Sequence, residues 1–282
     1  MPELPEVEVL VRNLEPLLQG REISHVQVRR PRIIRPSAER PFGAKLEGAR
    51  FIGLARRAKY LIFSLRDSGG GPLTLLGHLG MTGRMYVQPS GGAFPRHAAV
   101  VMNLDQGDFV FEDPRYFGRL SFDLSPLAKL GPEPLGPDFT PAYLKEACKR
   151  SRQPIKVKLL DQRLVAGVGN IYAGEALFRA GISPRSPACS LSLVRATRLW
   201  KTLREVLQEA IGFGSSLALD LSGRNDPERL FYYGAAPETS PSAEERWTVY
   251  GREDLPCTQC GGRIRRMVQA ARSTFYCPRC QR

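Results

Sequence analysis

Hydrophobic residues recur at helical spacing near the start of the chain. Pro5 suits the first turn of a helix and Gly20 suits the position after its C-terminal end. The pattern predicts one amphipathic helix, with the polar residues that precede it gathered at its N-terminal end. The apolar positions that define its buried face are Val7, Leu10, Val11, Leu14 and Leu18.

From Ile23 to about Leu124 the pattern changes to short runs that are typical of β-strands. Glycine-rich turns at 68–71 and 90–92 interrupt these runs. Many short strands with regular turn signals predict a β-sandwich. The clearest runs are 24–28, 60–65, 73–76, 98–104 and 108–111.

The second half of the chain is predicted to be helical. A Pro/Gly-rich segment at 130–137 marks a domain boundary and a hinge. The polar, poorly periodic stretch 220–245 is interpreted as a loop or an irregular insertion. Helical spacing follows the boundary at 141–150, 154–160, 171–180 and 191–211.

Four cysteines near the C-terminus have the spacing C-x2-C-x16-C-x2-C. The four are Cys257, Cys260, Cys277 and Cys280. This spacing predicts a hairpin that binds one Zn²⁺ through four thiolates, and such closed sites are structural. Two disulfides are the alternative, which is disfavoured because the chain shows no secretory signal and looks intracellular. Cys148 and Cys189 are isolated and are expected to be inert thiols.

These elements define an α+β chain with four predicted segments. They are a β-sandwich domain with its leading helix at 1–130, a hinge linker at 131–140, a helical domain at 141–246 and a zinc hairpin at 247–282. A length of 282 residues accommodates two domains with a small third, and 42% apolar residues suffice for real cores.

The charge balance points to a polyanionic partner. The chain has 41 Lys and Arg residues against 28 Asp and Glu residues, a formal net charge of +13. Nucleic acid is the commonest such partner, and a membrane surface is the weaker alternative. Between Cys257 and Arg282 there are six arginines and no acidic residue, so the zinc hairpin itself resembles a phosphate-binding surface. Without an apolar signal or a membrane-length segment, we expect a cytoplasmic monomer without membrane partners.

The first six residues could carry covalent chemistry. Removal of Met1 would leave Pro2 as a secondary amine, with Glu3 and Glu6 within a helical turn of it. An α-amine has a pKa of roughly 7.7–8.0, so it is often uncharged and nucleophilic near neutral pH. Its attack on an aldehyde carbon gives an iminium ion, the electron sink of covalent amine catalysis. The alternative is an ordinary helix N-terminus.

Other motifs gain meaning only together. The basic block at 56–61 leads into a strand and could be a solvated edge. Met81 lies in a turn between two glycines, and Arg115 and Phe117 lie in a tight turn. Apolar side chains such as Met81 and Phe117 more often belong to a hydrophobic core than to a functional site. Beside basic residues, however, they are suited to insertion between stacked bases. Asn170 follows a glycine-rich segment at a helix start, where it could cap the helix or face a phosphate.

Seven ordered segments together resemble the formamidopyrimidine-DNA glycosylase/endonuclease VIII family of base-excision repair enzymes. The resemblance covers nearly the whole chain. Its carriers are residues 2–8, 57–61, 78–83, 113–118, 130–135, 167–172 and the zinc hairpin.

The resemblance implies a fold and a set of roles. A β-sandwich with a leading helix, a helical domain with a helix–two-turn–helix motif, and the zinc finger would bind damaged double-stranded DNA with no organic cofactor. Pro2 is then the nucleophile, Glu3 the acid/base and Glu6 its support, with Lys59 and Arg272 in the catalytic set as phosphate grips. The resemblance gives further DNA contacts to His97, Asn170 and Lys156, and the filling of the void left by a flipped base to Met81, Arg115 and Phe117.

The sequence departs from the family pattern at two places. Tyr116 stands where a basic residue is common, and the segment 217–246 does not follow the usual lesion-capping pattern. Within the resemblance, the Pro-Glu-Leu-Pro start and the void-filling trio of Met81, Arg115 and Phe117 favour the branch whose substrates are oxidised purines such as 8-oxoguanine and formamidopyrimidines. Two alternatives remain, an endonuclease VIII-type enzyme for oxidised pyrimidines and a catalytically silent zinc-ribbon DNA-binding protein. The intact Pro2, Glu3 and Lys59 argue against the silent protein.

Overall fold

The leading helix of the predicted β-sandwich domain forms as expected. In a computed structural model, which describes residues 2–216 and 247–282, helix α1 spans Leu4–Leu18 and has Pro5 in its first turn. Gln19 is the C-cap and Gly20 follows with φ of +80°, a backbone conformation that favours glycine. The predicted loop at 220–245 lies outside the described residues.

Contacts divide the chain into two compact units, one built on the residues up to Ala128 and the other on Lys129–Gly212 with the C-terminal residues. The domain boundaries proposed from the sequence stay predictions.

The first unit contains two four-stranded antiparallel sheets. One has the order β1-β6-β7-β5 and the other β2-β3-β4-β8. Their strands are β1 (Ile23–Val28), β2 (Arg50–Arg57), β3 (Tyr60–Arg66), β4 (Pro72–His78), β5 (Arg84–Gln88), β6 (Ala98–Leu104), β7 (Asp108–Glu112) and β8 (Arg119–Ser121).

One hydrophobic core joins both sheets and α1. Alternate residues of β3 point into it, because side chains of a strand alternate between its two faces; these are Leu61, Phe63 and Leu65. Leu10 of α1 and Phe109 of β7 belong to the same core. The predicted β-sandwich with a leading helix is confirmed.

A short helix interrupts the region predicted as strands and turns. Helix α2 spans Glu39–Leu46 and buries Phe42 and Leu46. Its eight residues include Pro41 and Gly43, which have low helix propensity, and the helix is too short to show a clear helical period. The sequence pattern therefore does not predict it. The prediction of strands and turns alone is therefore wrong here.

The predicted helices of the second half are confirmed, with small shifts at their ends. The first ends at Cys148 instead of Arg150, and the last runs on to Ser216. After the short α3 (Ser125–Ala128), the helices are α4 (Pro141–Cys148), α5 (Ile155–Leu159), α6 (Asn170–Arg179) and α7 (Leu193–Ser216).

Two consecutive turns join α5 to α6, and Gln162 holds them together. Its side-chain amide donates to the carbonyl oxygens of Leu160 and Val168, at 3.1 and 2.8 Å, and accepts from the amide of Gly167 at 2.8 Å. The amide of Gly131 donates to the Gln162 carbonyl. A Cβ at position 131 would lie 2.3 Å from the carbonyl oxygen of Arg163, so this close approach requires glycine.

The chain ends in an antiparallel hairpin of β9 (Arg265–Gln269) and β10 (Arg272–Tyr276). Ala270 and Ala271 form its turn with φ of +47° and +58°, in the left-handed region. In the part of the chain that the structure describes, no helix is both long and apolar enough to cross a membrane.

Candidate active site

Pro2, Glu3 and Glu6 lie together at the N-terminal end of α1. Glu3 is the N-cap residue, and its backbone amide donates to Oε2 of Glu6 at 2.8 Å in a capping box. Both glutamates are buried, with 1% and 4% exposure, while Pro2 is half-buried. The unpaired amides and the dipole of a helix N-terminus favour negative charge there. The N-terminal end of α1 therefore places two carboxyl groups that are shielded from solvent beside the partly exposed Pro2.

A salt bridge brings the turn that carries Lys59 to the N-terminal half of α1. Nε of Arg56 donates to Oε2 of Glu8 at 2.7 Å, and its Nη1 donates to the carbonyl oxygen of Ala58 at 3.0 Å. Burial acts to raise the pKa of Glu8, but the hydrogen bonds and charges of Arg56 and Arg12 lower it overall. Lys59 follows Ala58 and is 9% exposed. The same edge of the unit thus holds Lys59 and the buried carboxyl groups.

His78 is a part of this site that the sequence interpretation did not single out. In the sheet it pairs with Tyr60 on one side and Arg119 on the other. Burial, together with the positive charges of Lys59 and Arg119, lowers the pKa of His78 to about 4. Its Nδ1 accepts from the amide of Gly80 at 3.0 Å, so a neutral ring carries its proton on Nε2. The His-Leu-Gly-Met-Thr-Gly motif was the available signal.

The three residues expected to fill a base-sized void all project from the surface. Met81 and Phe117 are 40% and 42% exposed, and Arg115 is exposed beside them. The guanidinium of Arg115 lies 4.9 Å from the ring centre of Phe117, and that of Arg32 lies 5.8 Å from it. Because core apolar residues would be covered, this exposure favours the functional interpretation of Met81 and Phe117.

A buried aspartate shapes the loop under these side chains. Asp113 is fully buried, and its carboxylate accepts from the amides of Arg115 and Gly118 at 3.1 and 2.7 Å and from the hydroxyl of Thr82. The last contact ties the Met81 turn to the Phe117 turn. A Cβ on Gly80 would lie 2.6 Å from the backbone of residues 117 and 118, so the two turns pack backbone to backbone. Sequence reasoning missed Asp113, although Asp-Pro is a recognised turn signal.

In the second unit, Asn170 and Lys156 meet on the hairpin. Nδ2 of Asn170 and Nζ of Lys156 both donate to the carbonyl oxygen of Ser273, at 3.0 and 3.2 Å. Lys156 also donates to Oγ1 of Thr274 at 2.9 Å and is 1% exposed. Arg272 precedes Ser273 at the hairpin tip and is exposed. The structure therefore brings the three predicted residues together.

Lys156 lies inside the unit rather than on its surface. Its visible role is to hold the hairpin, and its predicted DNA contact stays a prediction. The capping interpretation of Asn170 is wrong, because Gly169 is the N-cap and Asn170 is the first helical residue. Oδ1 of Asn170 is buried and has no hydrogen-bond partner within residues 2–216 and 247–282.

The four cysteines fit one zinc ion. Their sulfur atoms lie within 4.8 Å of one another. The Cys257–Cys280 and Cys260–Cys277 sulfur pairs are 3.8 and 3.5 Å apart. A tetrahedron with Zn–S bonds of about 2.3 Å has edges of roughly 3.8 Å, whereas S–S bonds are far shorter. The site is therefore a four-thiolate structural zinc site. Cys148 is buried, which raises the pKa of its thiol to about 11, and Cys189 is exposed.

A buried carboxylate connects the zinc module to α6. Glu175, 2% exposed, accepts from the backbone amides of Thr248, Val249 and Tyr250 at 2.9–3.1 Å and from the Thr248 hydroxyl. No spacing in the sequence pairs a helix residue with a segment more than seventy positions away, so this contact was not predictable.

Family models match both halves and the hairpin. The formamidopyrimidine-DNA glycosylase N-terminal domain matches residues 1–120, the formamidopyrimidine-DNA glycosylase H2TH domain matches 130–220, and a zinc finger found in FPG and IleRS matches 254–282.

Similar proteins extend over the whole chain. The formamidopyrimidine-DNA glycosylases of Ruegeria sp. (strain TM1040) and Thermus thermophilus are 43% and 42% identical and cover 100% of this chain, with 100% and 98% of their own lengths matched. The crystal structure of the MutM (Fpg) protein from Thermus thermophilus has a TM-score of 0.80 at 41% identity, covering 99% and 98% of the two chains. A Lactococcus lactis Fpg mutant complexed with a Fapy-dG containing DNA has a TM-score of 0.86 at 32% identity over 100% of both. The chain belongs to the formamidopyrimidine-DNA glycosylase family.

Proposed function

We propose that this protein is a bifunctional DNA glycosylase and abasic-site lyase that removes oxidised purines through the N-terminal amine of Pro2. The observation that carries the proposal is the group at the start of α1, where a half-buried Pro2 precedes the buried carboxyl groups of Glu3 and Glu6. A zinc-ribbon protein that only binds DNA has no need of this group.

The first step is displacement of the damaged base. Once the nucleotide is flipped out of the stack, its C1′ is accessible to the amine. The nitrogen lone pair forms a bond to C1′, and the electrons of the glycosidic bond leave with the base, which takes up a proton. Glu3 is the acid/base for this transfer and for opening of the sugar ring, and Glu6 supports it by accepting the backbone amide of Glu3.

The second step is cleavage of the strand. Ring opening leaves an iminium ion between Pro2 and C1′, which makes the C2′ protons acidic. Loss of a C2′ proton expels the 3′ phosphate by β-elimination, and a second elimination expels the 5′ phosphate. Hydrolysis of the iminium then returns the free amine. The zinc ion contributes by holding the hairpin in its folded form.

The remaining site residues hold the DNA. Lys59, His97, Asn170 and Arg272 bind phosphates around the lesion. Nδ2 of Asn170 donates one of its two protons to the carbonyl oxygen of Ser273, and its second N–H can donate to a phosphate oxygen. Met81, Arg115 and Phe117 fill the void left by the flipped nucleotide, which suits their exposure. Arg115 pairs with the orphaned base, and Phe117 wedges the stack. Lys156 contributes through the hairpin that it anchors.

Oxidised purines are the substrates that the comparisons favour. The curated relatives bear the name formamidopyrimidine-DNA glycosylase, and solved relatives are complexes with DNA containing Fapy-dG or carbocyclic 8-oxo-G. A panel of duplexes with one oxidised purine or one oxidised pyrimidine tests this assignment. Preferential cutting of oxidised-pyrimidine duplexes would replace it with an endonuclease VIII-type activity.

Borohydride trapping tests the nucleophile, because reduction turns the iminium into a stable amine that links protein to DNA. We expect trapping at Pro2, in protein whose intact mass shows that Met1 is absent. Pro2→Gly should keep some trapping and lose base excision. Glu3→Gln should lose excision yet still cut a preformed abasic site at a reduced level. Full activity in protein that retains Met1 would exclude Pro2 as the nucleophile.

A further inference from the structure

Tyr116 occupies the middle of the Arg115-Tyr116-Phe117 loop, where the family pattern commonly has a basic residue. Its backbone has φ of +53°, in the left-handed region that non-glycine residues rarely adopt. The side chain is half-buried and packs against the core of the first unit. A residue held in this conformation has a fixed direction, so its hydroxyl group is presented at a defined point.

The Tyr116 hydroxyl holds an arginine from a distant segment. Nε of Arg30 donates to it at 3.1 Å, and the Arg30 guanidinium lies 5.5 Å from the centre of the Tyr116 ring. Nη1 of Arg30 donates to the carbonyl oxygen of Arg29 at 2.9 Å. Arg30 is exposed, and its Nη2 has no hydrogen-bond partner in the described parts of the chain. The charge absent at position 116 is thus supplied beside it by Arg30.

The same hydroxyl contacts His97. Its oxygen lies 3.2 Å from Nδ1 of the imidazole, and the two rings are 6.2 Å apart between centres. Because the hydroxyl accepts from Arg30, its own proton is available for Nδ1 of His97. A neutral His97 then carries its proton on Nε2, the nitrogen directed away from Tyr116.

We propose that Tyr116 is a positioning residue that turns Arg30 and His97 into one donor pair for the DNA backbone beside the wedge residue Phe117. The proposal rests on the proposed function, since it assigns how one part of the same DNA surface is built. The recognised group is a phosphodiester. Guanidinium N–H groups and an imidazole N–H are suitable donors for its oxygens, and both gain from being pre-oriented.

Removal of the hydroxyl alone tests the positioning. Tyr116→Phe keeps the ring, the packing and the cation–π contact. We expect the full-length zinc protein to bind a duplex with a stable abasic-site analogue about fivefold more weakly, the effect of one net hydrogen bond. Arg30→Ala should weaken binding more and make the log–log salt dependence shallower by about one unit.

The double variant and a matched arginine discriminate positioning from packing. In the Tyr116→Phe background, Arg30→Ala should cost clearly less than in the wild type, because the hydrogen bond that orients the Arg30 guanidinium is already absent. Arg29→Ala is the control, since Arg29 lies over Phe94, 5.9 Å from its ring centre, and not over Tyr116. Its effect should be the same in both backgrounds. Equal costs of Arg30→Ala in both backgrounds would overturn the proposal.

A third variant moves the positive charge from position 30 to position 116. Tyr116→Arg places a cation where the family pattern has one, so it should restore affinity and salt dependence to Arg30→Ala. Failure of this rescue would show that Arg30 does not replace a basic residue at 116, and the pair of variants remains informative if Tyr116→Phe folds poorly. Wild-type protein that neither binds nor cuts any lesion duplex would instead refute the proposed function.

Discussion

The wedge loop at 113–118 and the hairpin formed by β9 and β10 both present an exposed arginine, but they are built in opposite ways. In the wedge loop, one buried carboxylate, that of Asp113, binds amides within its own five following residues. In the hairpin, no side chain of the described residues accepts a hydrogen bond from the backbone amides of the turn formed by Ala270 and Ala271. Lys156 and Asn170 reach the hairpin from more than a hundred residues away.

This difference shows which contacts orient Arg115 in the wedge loop and Arg272 in the hairpin. Arg115 depends on local hydrogen bonds and on stacking over Phe117, so its position is fixed once the loop closes. Arg272 depends on the metal and on two helices, so its position is fixed only when the second unit has folded. We therefore expect the two regions to fail independently, and variants in each region can test how far the separation holds.

Loss of the zinc site has the largest expected effect, and it should be confined to the hairpin. Cys277→Ser removes one of four thiolates, and structural zinc sites contribute on the order of 10 kcal/mol to the folding of the module that holds them. The variant should lose its metal and most of its DNA affinity. The β-sandwich should keep its near-ultraviolet circular dichroism. Metal analysis and DNA titration measure the two effects.

Cys189→Ser is the matched control, because Cys189 is an exposed thiol outside the metal site. It should leave zinc content and affinity unchanged. Unfolding of the β-sandwich together with the hairpin in Cys277→Ser would show that the two regions are not independent.

The sequence predicted those structural features that depend on the spacing of residues close together in the chain. The α1 period, the alternation in β3 and the cysteine spacing each depend on residues a few positions apart. β2 was harder to predict, because its register shifts between Phe51 and Gly53 and so breaks the alternation of buried and exposed residues. The strand β8 has three residues, which are too few to show a period.

The candidate site divides in the same way. Short sequence motifs predicted Pro2, Glu3 and the zinc ligands. Glu175 and Lys156, in contrast, form hydrogen bonds with residues far away in the sequence, which no short motif can predict. A motif could not announce His78 as a neutral ring either, since its neutrality comes from burial and from neighbouring cations. Chemistry carried by adjacent residues is visible in a sequence, and chemistry created by packing becomes visible only in the fold.

Asp113→Asn should have the next largest effect, now confined to the wedge loop. The new amide group must face backbone N–H donors, so at least one buried donor loses its partner, at a cost of about 1–3 kcal/mol. We expect a lower unfolding free energy of the first unit and slower base excision from duplex DNA. Zinc content should not change. Urea unfolding and single-turnover excision measure these quantities.

Asp67→Asn is the matched control. Asp67 accepts from the amides of Gly69 and Gly71 at 2.9 and 2.8 Å in an exposed turn of the same unit. Water can replace those bonds, so excision should remain at the wild-type rate. Equal losses of excision in the two variants would show that the wedge loop does not depend on its own aspartate.

His78 offers a pH-dependent test of the packing beneath the wedge loop. Its pKa is lowered to about 4, against about 6.5 for an unfolded histidine. The unfolded chain therefore takes up the proton first as pH falls from about 6.5 to 4, and stability decreases across this window. The loss is at most about 3 kcal/mol, and less because the ring is partly exposed.

Nuclear magnetic resonance can measure this directly, because the chain has only three histidines. One ring should titrate near pH 4 and should disappear from the spectrum of His78→Asn, whose Oδ1 can accept the Gly80 amide in place of Nδ1. The variant should also show a flatter pH dependence of unfolding between about pH 6.5 and 4. A His78 ring that titrates near the ordinary histidine value would contradict its burial beside the positive charges of Lys59 and Arg119.

The smallest expected effects separate the two exposed side chains by their charge. Arg272→Ala should weaken DNA binding about equally across sequences and make the log–log salt dependence shallower by about one unit, as loss of one phosphate contact requires. Phe117→Ala should leave the salt dependence nearly unchanged and slow excision from duplex DNA, because disruption of stacking is uncharged work.

The two variants can be compared in one salt titration, with a mismatched duplex as the second substrate. Phe117→Ala should matter less on the mismatched duplex, where unstacking costs less, whereas Arg272→Ala should be equally costly on both. If Arg272→Ala, Phe117→Ala and the wild type share one salt dependence, then the hairpin tip does not bind phosphate. The difference in construction between the wedge loop and the hairpin would then have no counterpart in how they bind DNA.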